Sequence, residues 1–226
     1  MREFLIKICP VAIWCIVAGE ALIAALLFLH AAKKRSRVAL WSGVLTLGLI
    51  LDAAIIGLGS VLTPETLAAV SPARFIAHGL LIPLLFPICG YALNLKKPVM
   101  TVLWSVTVLV MAAGVAQALA TKLVPETIAN LTRMKAGEGT PKWAETISMA
   151  LSFGTVIPMM IVGIIVWIKE KTPHLFLAGL LMFAFSALGP ATGNTDLIFF
   201  ISMFGEILMV LFLYLYARAK AKRRAG

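Results

Sequence analysis

Three carboxylates lie inside strongly apolar stretches of the chain: Glu20 in "VAGEALI", Asp52 in "LILDAAI" and Glu206 in "FGEILMV". Two basic groups open another such stretch, Arg74 and His78 in "SPARFIAHGLLIPLLF", four residues apart and therefore on one face of a helix. An ionised acid in hydrocarbon is costly, and the usual remedies are a partner, a water-filled cavity or a bound proton. Acids of this kind bind protons or cations, or act as general acids. An arginine at the surface can hold a phosphate or carboxylate head group.

The elements that must carry these groups follow from composition. Of 226 residues 61% are hydrophobic and 13% charged, with a mean hydropathy of +1.00, more apolar side chain than a soluble domain of this size can bury. The chain reads as an all-α integral membrane protein forming a single polytopic domain over residues 1–226. Seven segments reach the roughly 20 residues needed to cross a bilayer as a helix: 8–30, 38–62, 73–95, 98–120, 146–168, 174–192 and 195–217. The first is too long, and too polar at its end, for a cleaved signal peptide and is expected to be a retained span.

Connections after the first, third and fifth segments carry "KKRSR", "NLKK" and "KEK", and the tail reads "ARAKAKRRAG". Short basic loops stay in the cytoplasm, so the N-terminus is expected outside and the C-terminus inside, with the protein in a plasma (inner) membrane. Trp41, Trp104 and Trp167 then fall near the inner interface and Trp14 near the outer. The net charge of +10 is accounted for by this topology and by anionic membrane lipids, the expected partners, rather than by nucleic acid.

Counting about 1.5 Å per residue, Glu20, Asp52 and Glu206 all fall roughly 15 to 18 Å below the outer surface. Arg74 is expected at the outer boundary and His78 about 6 Å below it. This predicts a cavity opening outward, with Arg74 and His78 at its mouth and Asp52, Glu20 and Glu206 at its floor. Asn194 and Asp196 stand at the outer start of the last segment, where they serve as helix caps or line the mouth.

Other chemistry finds less support. Cys9, Cys15 and Cys89 have no paired spacing and read as small apolar residues. His30 with His174 is the one pair at matching depth for a haem, and interfacial histidines explain them as well; no metal site and no cofactor is expected. HExxH, GxSxG and Walker motifs are missing.

A shift of 75 residues aligns Gly79, Pro83, Lys96 and Pro98 with Gly154, Pro158, Lys171 and Pro173, a weak internal two-helix repeat of segments three and four in five and six. Under it Pro83 and Pro158 predict equivalent kinks, whereas Arg74 and His78 correspond to Met149 and Phe153. A second echo, "TPETLA" at 63 and "VPETIA" at 124, predicts a proline-initiated helical turn twice on the outer face.

Arg74, Phe75, Pro83, Leu84 and Leu85 form a stretch of about twelve residues that resembles the third helix of the microbial rhodopsins. That family holds retinal on a lysine of its last helix; here none lies between Asp196 and the basic tail, and Ala77 stands where the family's acid would be. Retinal chemistry is therefore not expected. Two function classes follow from the residues themselves: a protein that binds or transports a small ligand or proton, or an intramembrane enzyme acting on a lipid or isoprenoid. In the enzyme, Asp52 or Glu206 is the catalytic acid and Glu20, Arg74 and His78 bind ligand. A small membrane subunit of a larger complex is the third possibility.

Overall fold

The computed structural model describes residues 2–128, 131–192 and 195–223, with side chains described over 7–128, 131–186 and 201–223. Asn194 and the side chain of Asp196 lie outside that set. Among the described residues the regular structure is helical except for one hairpin: α1 (Arg2–Lys34), α2 (Arg37–Leu58), α3 (Pro64–Val70), α4 (Pro72–Leu81), a 3-10 turn at Ile82–Leu84, α5 (Leu85–Ala92), α6 (Lys97–Ala120), β1 (Leu123–Ile128), β2 (Leu131–Ala136), α7 (Lys142–Glu170), α8 (His174–Thr192) and α9 (Thr195–Arg223). Among the described residues, six helical stretches are long and apolar enough to cross a membrane, one of them formed by α3 to α5 running on from Pro64 to Ala92. The shorter α8 packs between α7 and α9.

Burial runs opposite to that of a water-soluble bundle. Val102, Leu109, Ile161 and Ile168 are exposed, while Glu20, Ser42, Thr46, Asp52 and Thr107 are buried. Apolar side chains can face lipid freely, so the interior is where polar groups collect.

One end of the bundle gathers the basic residues. Arg35, Asn94 and Lys171 adopt left-handed backbone conformations that close the tight turns after α1, α5 and α7. Trp41 and Trp104 meet edge to face with centroids 4.7 Å apart, and Trp104 Nε1 donates to the Tyr91 hydroxyl at 3.1 Å. Buried Lys220 donates to the Ala92 carbonyl, to Glu170 Oε1 at 3.1 Å and to the Tyr216 hydroxyl at 3.3 Å, tying α5, α7 and α9 together. His30 Nε2 lies 3.2 Å from the Ala217 carbonyl, a bond within the α1–α9 contact that needs no haem. Cys9 and Cys89 are buried and Cys15 is exposed.

The opposite end carries the hairpin, and here one of the two expected helical turns is replaced by a strand. The "TPETLA" stretch does start a helix, because Thr63 Oγ1 accepts the Thr66 amide at 3.3 Å and Pro64 sits in the first turn. Its echo at 124 is strand β1 instead, paired antiparallel with β2 so that Glu126 faces Arg133 and Ile128 faces Leu131. Val124 occupies the place of Thr63 and has no oxygen to cap a helix, and the β-branched Thr127 and Ile128 favour an extended chain. The hairpin docks on the end of α2, where the Thr132 amide donates to the Gly59 carbonyl at 3.2 Å. A side chain at Gly59 would run into the Thr132 carbonyl oxygen.

The two-helix repeat does not extend to its prolines. Pro83 falls in the 3-10 turn that separates α4 from α5, whereas Pro158 lies inside the continuous α7. Contacts explain the difference. Gly79, one turn before Pro83, lies against Gly114 of α6, where an added Cβ would come within 2.5 Å of backbone. Its counterpart Gly154 has nothing within 4 Å of that point. A Gly79→Ala substitution is therefore expected to destabilise the protein by about 1–3 kcal/mol through overpacking. Gly154→Ala should be neutral or stabilising by up to about 1 kcal/mol. Thermal unfolding of the two variants in the same detergent checks this; equal melting temperatures would show that the α4–α6 contact is not tight.

Candidate functional site

The acids and the basic pair come together toward the hairpin end, though not at two separate levels. Helix α2 ends at Leu58 rather than at 62, which leaves Asp52 only about 9 Å from the helix end. Arg74, third residue of α4, extends its side chain inward to the same level. Its Nε donates to Asp52 Oδ1 at 2.6 Å and its Nη1 to the Met134 carbonyl of β2 at 3.0 Å. The expectation of a basic mouth two or three turns above an acidic floor is thus corrected: Arg74 directly partners Asp52.

One turn further along α4, the His78 ring stands between two acids. Its Nδ1 is 3.6 Å from Asp52 Oδ1 and its Nε2 is 3.9 Å from Glu206 Oε1. Both separations exceed a direct hydrogen bond, and a small ring rotation would bring either acid within reach. Glu206 itself is 7% exposed, and its Oε2 has no hydrogen-bond partner. Glu20, fully buried on α1, lacks a partner at both oxygens. It belongs to the neighbourhood of Glu206 because Gly19 packs against Ile207 of α9.

Asp52, Arg74, His78 and Glu206 line a cavity of about 470 Å³, whose other walls come from α6, α7, α8 and the hairpin. Glu20 is not among its lining residues and sits behind Glu206. Of the five residues singled out from the sequence, four therefore share one cavity and the fifth adjoins it.

Arg133 also lines the cavity and was not anticipated, since it lies on β2, the strand that pairs with the segment expected to form a helical turn. Its signal was the alternation of "LTRMKA" opposite "LVPETI", which places an arginine across from a glutamate. Arg133 donates through Nε and Nη2 to Glu126 Oε2 at 3.0 and 2.9 Å, and Lys135 Nζ donates to Glu126 Oε1 at 2.7 Å. Burial opposes the charge on Glu126, but the Lys135 and Arg133 hydrogen bonds, with the charge of both, hold its carboxyl below the usual glutamate range. Gln117 of α6 lines the cavity too, its Nε2 donating to Thr121 Oγ1 at 2.9 Å.

Asp52, His78 and Glu206 offer ligand atoms within 4.8 Å of one another and are the one such group among the described residues. One feature weighs against chelation: the Arg74 guanidinium already occupies Asp52 Oδ1. A proton relay along Asp52, His78 and Glu206 would use both nitrogens once the ring moves to within hydrogen-bond reach of each acid.

No protein-family model matches the chain, and no curated protein matches it. The site's own geometry is what yields predictions. Removing one partner of a buried ion pair strands the other, so Arg74→Gln or Asp52→Asn alone should cost about 3–5 kcal/mol and the double variant markedly less than the sum. Thermal unfolding of the three variants gives the coupling; additive losses would show that the pair is not a unit. The hairpin supplies a pH test. Because the folded carboxyl of Glu126 titrates below its unfolded value of about 4.3, its contribution is present above that pH and lost as pH falls through the lower folded value. Amide protection of Thr132, corrected for intrinsic exchange, should fall in that acidic window in wild type and show no such step in Glu126→Gln.

Proposed function

We propose that the protein is a seven-span carrier or receptor of the plasma membrane, hairpin end outside and basic end in the cytoplasm, which binds a small ligand in the cavity in exchange for a proton. The observation that carries this reading is Glu206: a buried carboxyl that lines the cavity, has one oxygen unpartnered, and faces an imidazole whose other nitrogen addresses Asp52. An unpaired carboxylate in such a place must be met by a proton or by a cation from outside. Both arrive through the cavity, so each displaces the other.

The remaining parts take roles that fit. Arg74 fixes Asp52 as the charged end of the chain of groups, Asp52 orients the His78 ring, and His78 passes a proton to and from Glu206. The Lys220 cluster ties α5, α7 and α9 together at the basic end, away from the cavity. The α8 segment, nineteen residues from His174 to Thr192, supplies the seventh span. The enzyme reading draws less support, because Arg74 is committed to Asp52 and the Met134 carbonyl rather than offered to a head group. Asp52, bound to a guanidinium, is likewise poorly placed to donate a proton.

Infrared difference spectroscopy after a pH jump tests the assignment without knowledge of the ligand. Wild type in lipid should show a protonated-carboxyl band that is missing in Glu206→Gln and shifted in His78→Asn. Identical spectra for wild type and Glu206→Gln would remove Glu206 from proton exchange and with it this function.

A further inference from the structure

Proton exchange alone does not require a cavity of about 470 Å³. That volume is in the range of sites that enclose organic ligands of drug size, about 300–1,000 Å³. The walls indicate which organic ligand. Below the polar layer they are Ile82, Leu85, Val156, Met182 and Met209. Phe153 and Phe183 line it as well and meet edge to face, with centroids 6.2 Å apart. The hydroxyls on α7 add little polarity, since Ser152 donates back to the Ser148 carbonyl and Thr155 to that of Leu151. A ligand rich in hydrogen-bonding groups would leave most of them unmet here.

The sign of the charge follows from which groups are already satisfied. Arg74 is held by Asp52, and Arg133 shares Glu126 with Lys135, so both cavity-lining guanidiniums already have an anionic partner. The cavity-lining acid that keeps an unpartnered oxygen is Glu206. Aromatic faces and methionine sulfurs are favourable company for a diffuse cation.

Access also fits an apolar molecule. On the hairpin-side half of α7, Met149 and Phe153, both lining the cavity, are 58% and 51% exposed, and Gly154 has nothing within 4 Å of its would-be Cβ. These apolar side chains are ones that a lipophilic cation concentrated in a bilayer can approach.

We propose that the cavity takes a lipophilic organic cation, an aryl- or alkyl-substituted ammonium or phosphonium ion, with Glu206 as its counter-ion. This rests on the exchange reading above and names its substrate class. The exchange balances as one proton leaving the Glu206 carboxyl for each singly charged cation that enters. The groups facing Glu206 that also bear on this balance are Glu20 from α1, Asp52 from α2, Arg74 and His78 from α4, and Arg133 from the hairpin; α8 presents no ionisable side chain there among its described residues.

Tetraphenylphosphonium, whose charge does not titrate, is the probe, and tetraphenylborate is its counterpart of similar shape and opposite sign. Equilibrium dialysis against the full chain in lipid nanodiscs should show saturable tetraphenylphosphonium binding that weakens on mild acidification and releases protons into weak buffer. Glu206→Gln should weaken binding by about tenfold or more and flatten its pH dependence, while Glu206→Asp keeps the pH dependence and Phe153→Ala loses affinity without altering it. Gel filtration and thermal unfolding confirm that each variant is folded. Tetraphenylborate binding equal to that of the phosphonium, or unchanged phosphonium binding by folded Glu206→Gln, would overturn the proposal. Absent phosphonium binding alongside an intact Glu206 carboxyl band in the infrared would overturn the substrate class alone; loss of both signals would overturn the exchange function as well.

Discussion

The arrangement of this protein depends on the ion pair between Arg74 and Asp52. It joins α2 to α4 in the interior, and through the second guanidinium bond to the Met134 carbonyl it ties both helices to the hairpin. Three separate stretches of chain are therefore held by one side chain. His78 follows Arg74 by one turn on the same helical face, so the pair also sets where the imidazole stands. Without a cation at that level Asp52 would be a third buried acid in search of a partner; with it, Asp52 becomes a fixed acceptor for the histidine.

Charge balance around the pair bears on the sign of ligand proposed for the cavity. Asp52 and Arg74 neutralise each other, while Glu126 is shared by Arg133 and Lys135 above them, a trio with one positive charge in excess. Glu20 and Glu206 remain, both buried and both with unpartnered oxygens. In a low-dielectric interior two neighbouring carboxyl groups do not both ionise readily, so at most one full negative charge is available to a ligand. Glu206 lines the cavity and Glu20 does not, which makes Glu206 the group that meets what enters. At the other end Lys220 is surrounded by acceptors, so it closes the bundle there without competing for the site.

Much of this was legible in the sequence, for physical reasons that can be named. Apolar segment length and the rarity of intramembrane charge marked Glu20, Asp52, Arg74, His78 and Glu206, because a bilayer tolerates such residues only where they have company. Which of them touch was not legible. Depth along each helix was counted from presumed span ends, and an α2 that stops at Leu58 instead of 62 was enough to separate Arg74 from Asp52 on paper when the two are bonded. Arg133 was hidden by a local likeness: "TPETLA" and "VPETIA" differ at the capping position, and that one oxygen decides between a helical turn and a strand. The alignment of Pro83 with Pro158 misled in the same way, since a proline's effect depends on what its neighbours pack against.

The broken repeat bears on function as well. In the α4–α6 half, Gly79 and Gly114 bring two backbones into contact, which makes a stiff wall carrying Arg74 and His78. In the α7–α8 half, the glycine aligned with Gly79 has open space beside it, and the residues aligned with Arg74 and His78 are Met149 and Phe153, exposed and apolar. One copy thus provides fixed charge and the other an adaptable apolar surface. Fixed charges need a stiff frame, because a small displacement would break contacts that already exceed hydrogen-bond length at His78. An apolar wall needs no such precision and can yield to admit a bulky ligand. The divergence between the halves is what an asymmetric site requires, and it explains why the ionisable residues avoid one copy of the repeat.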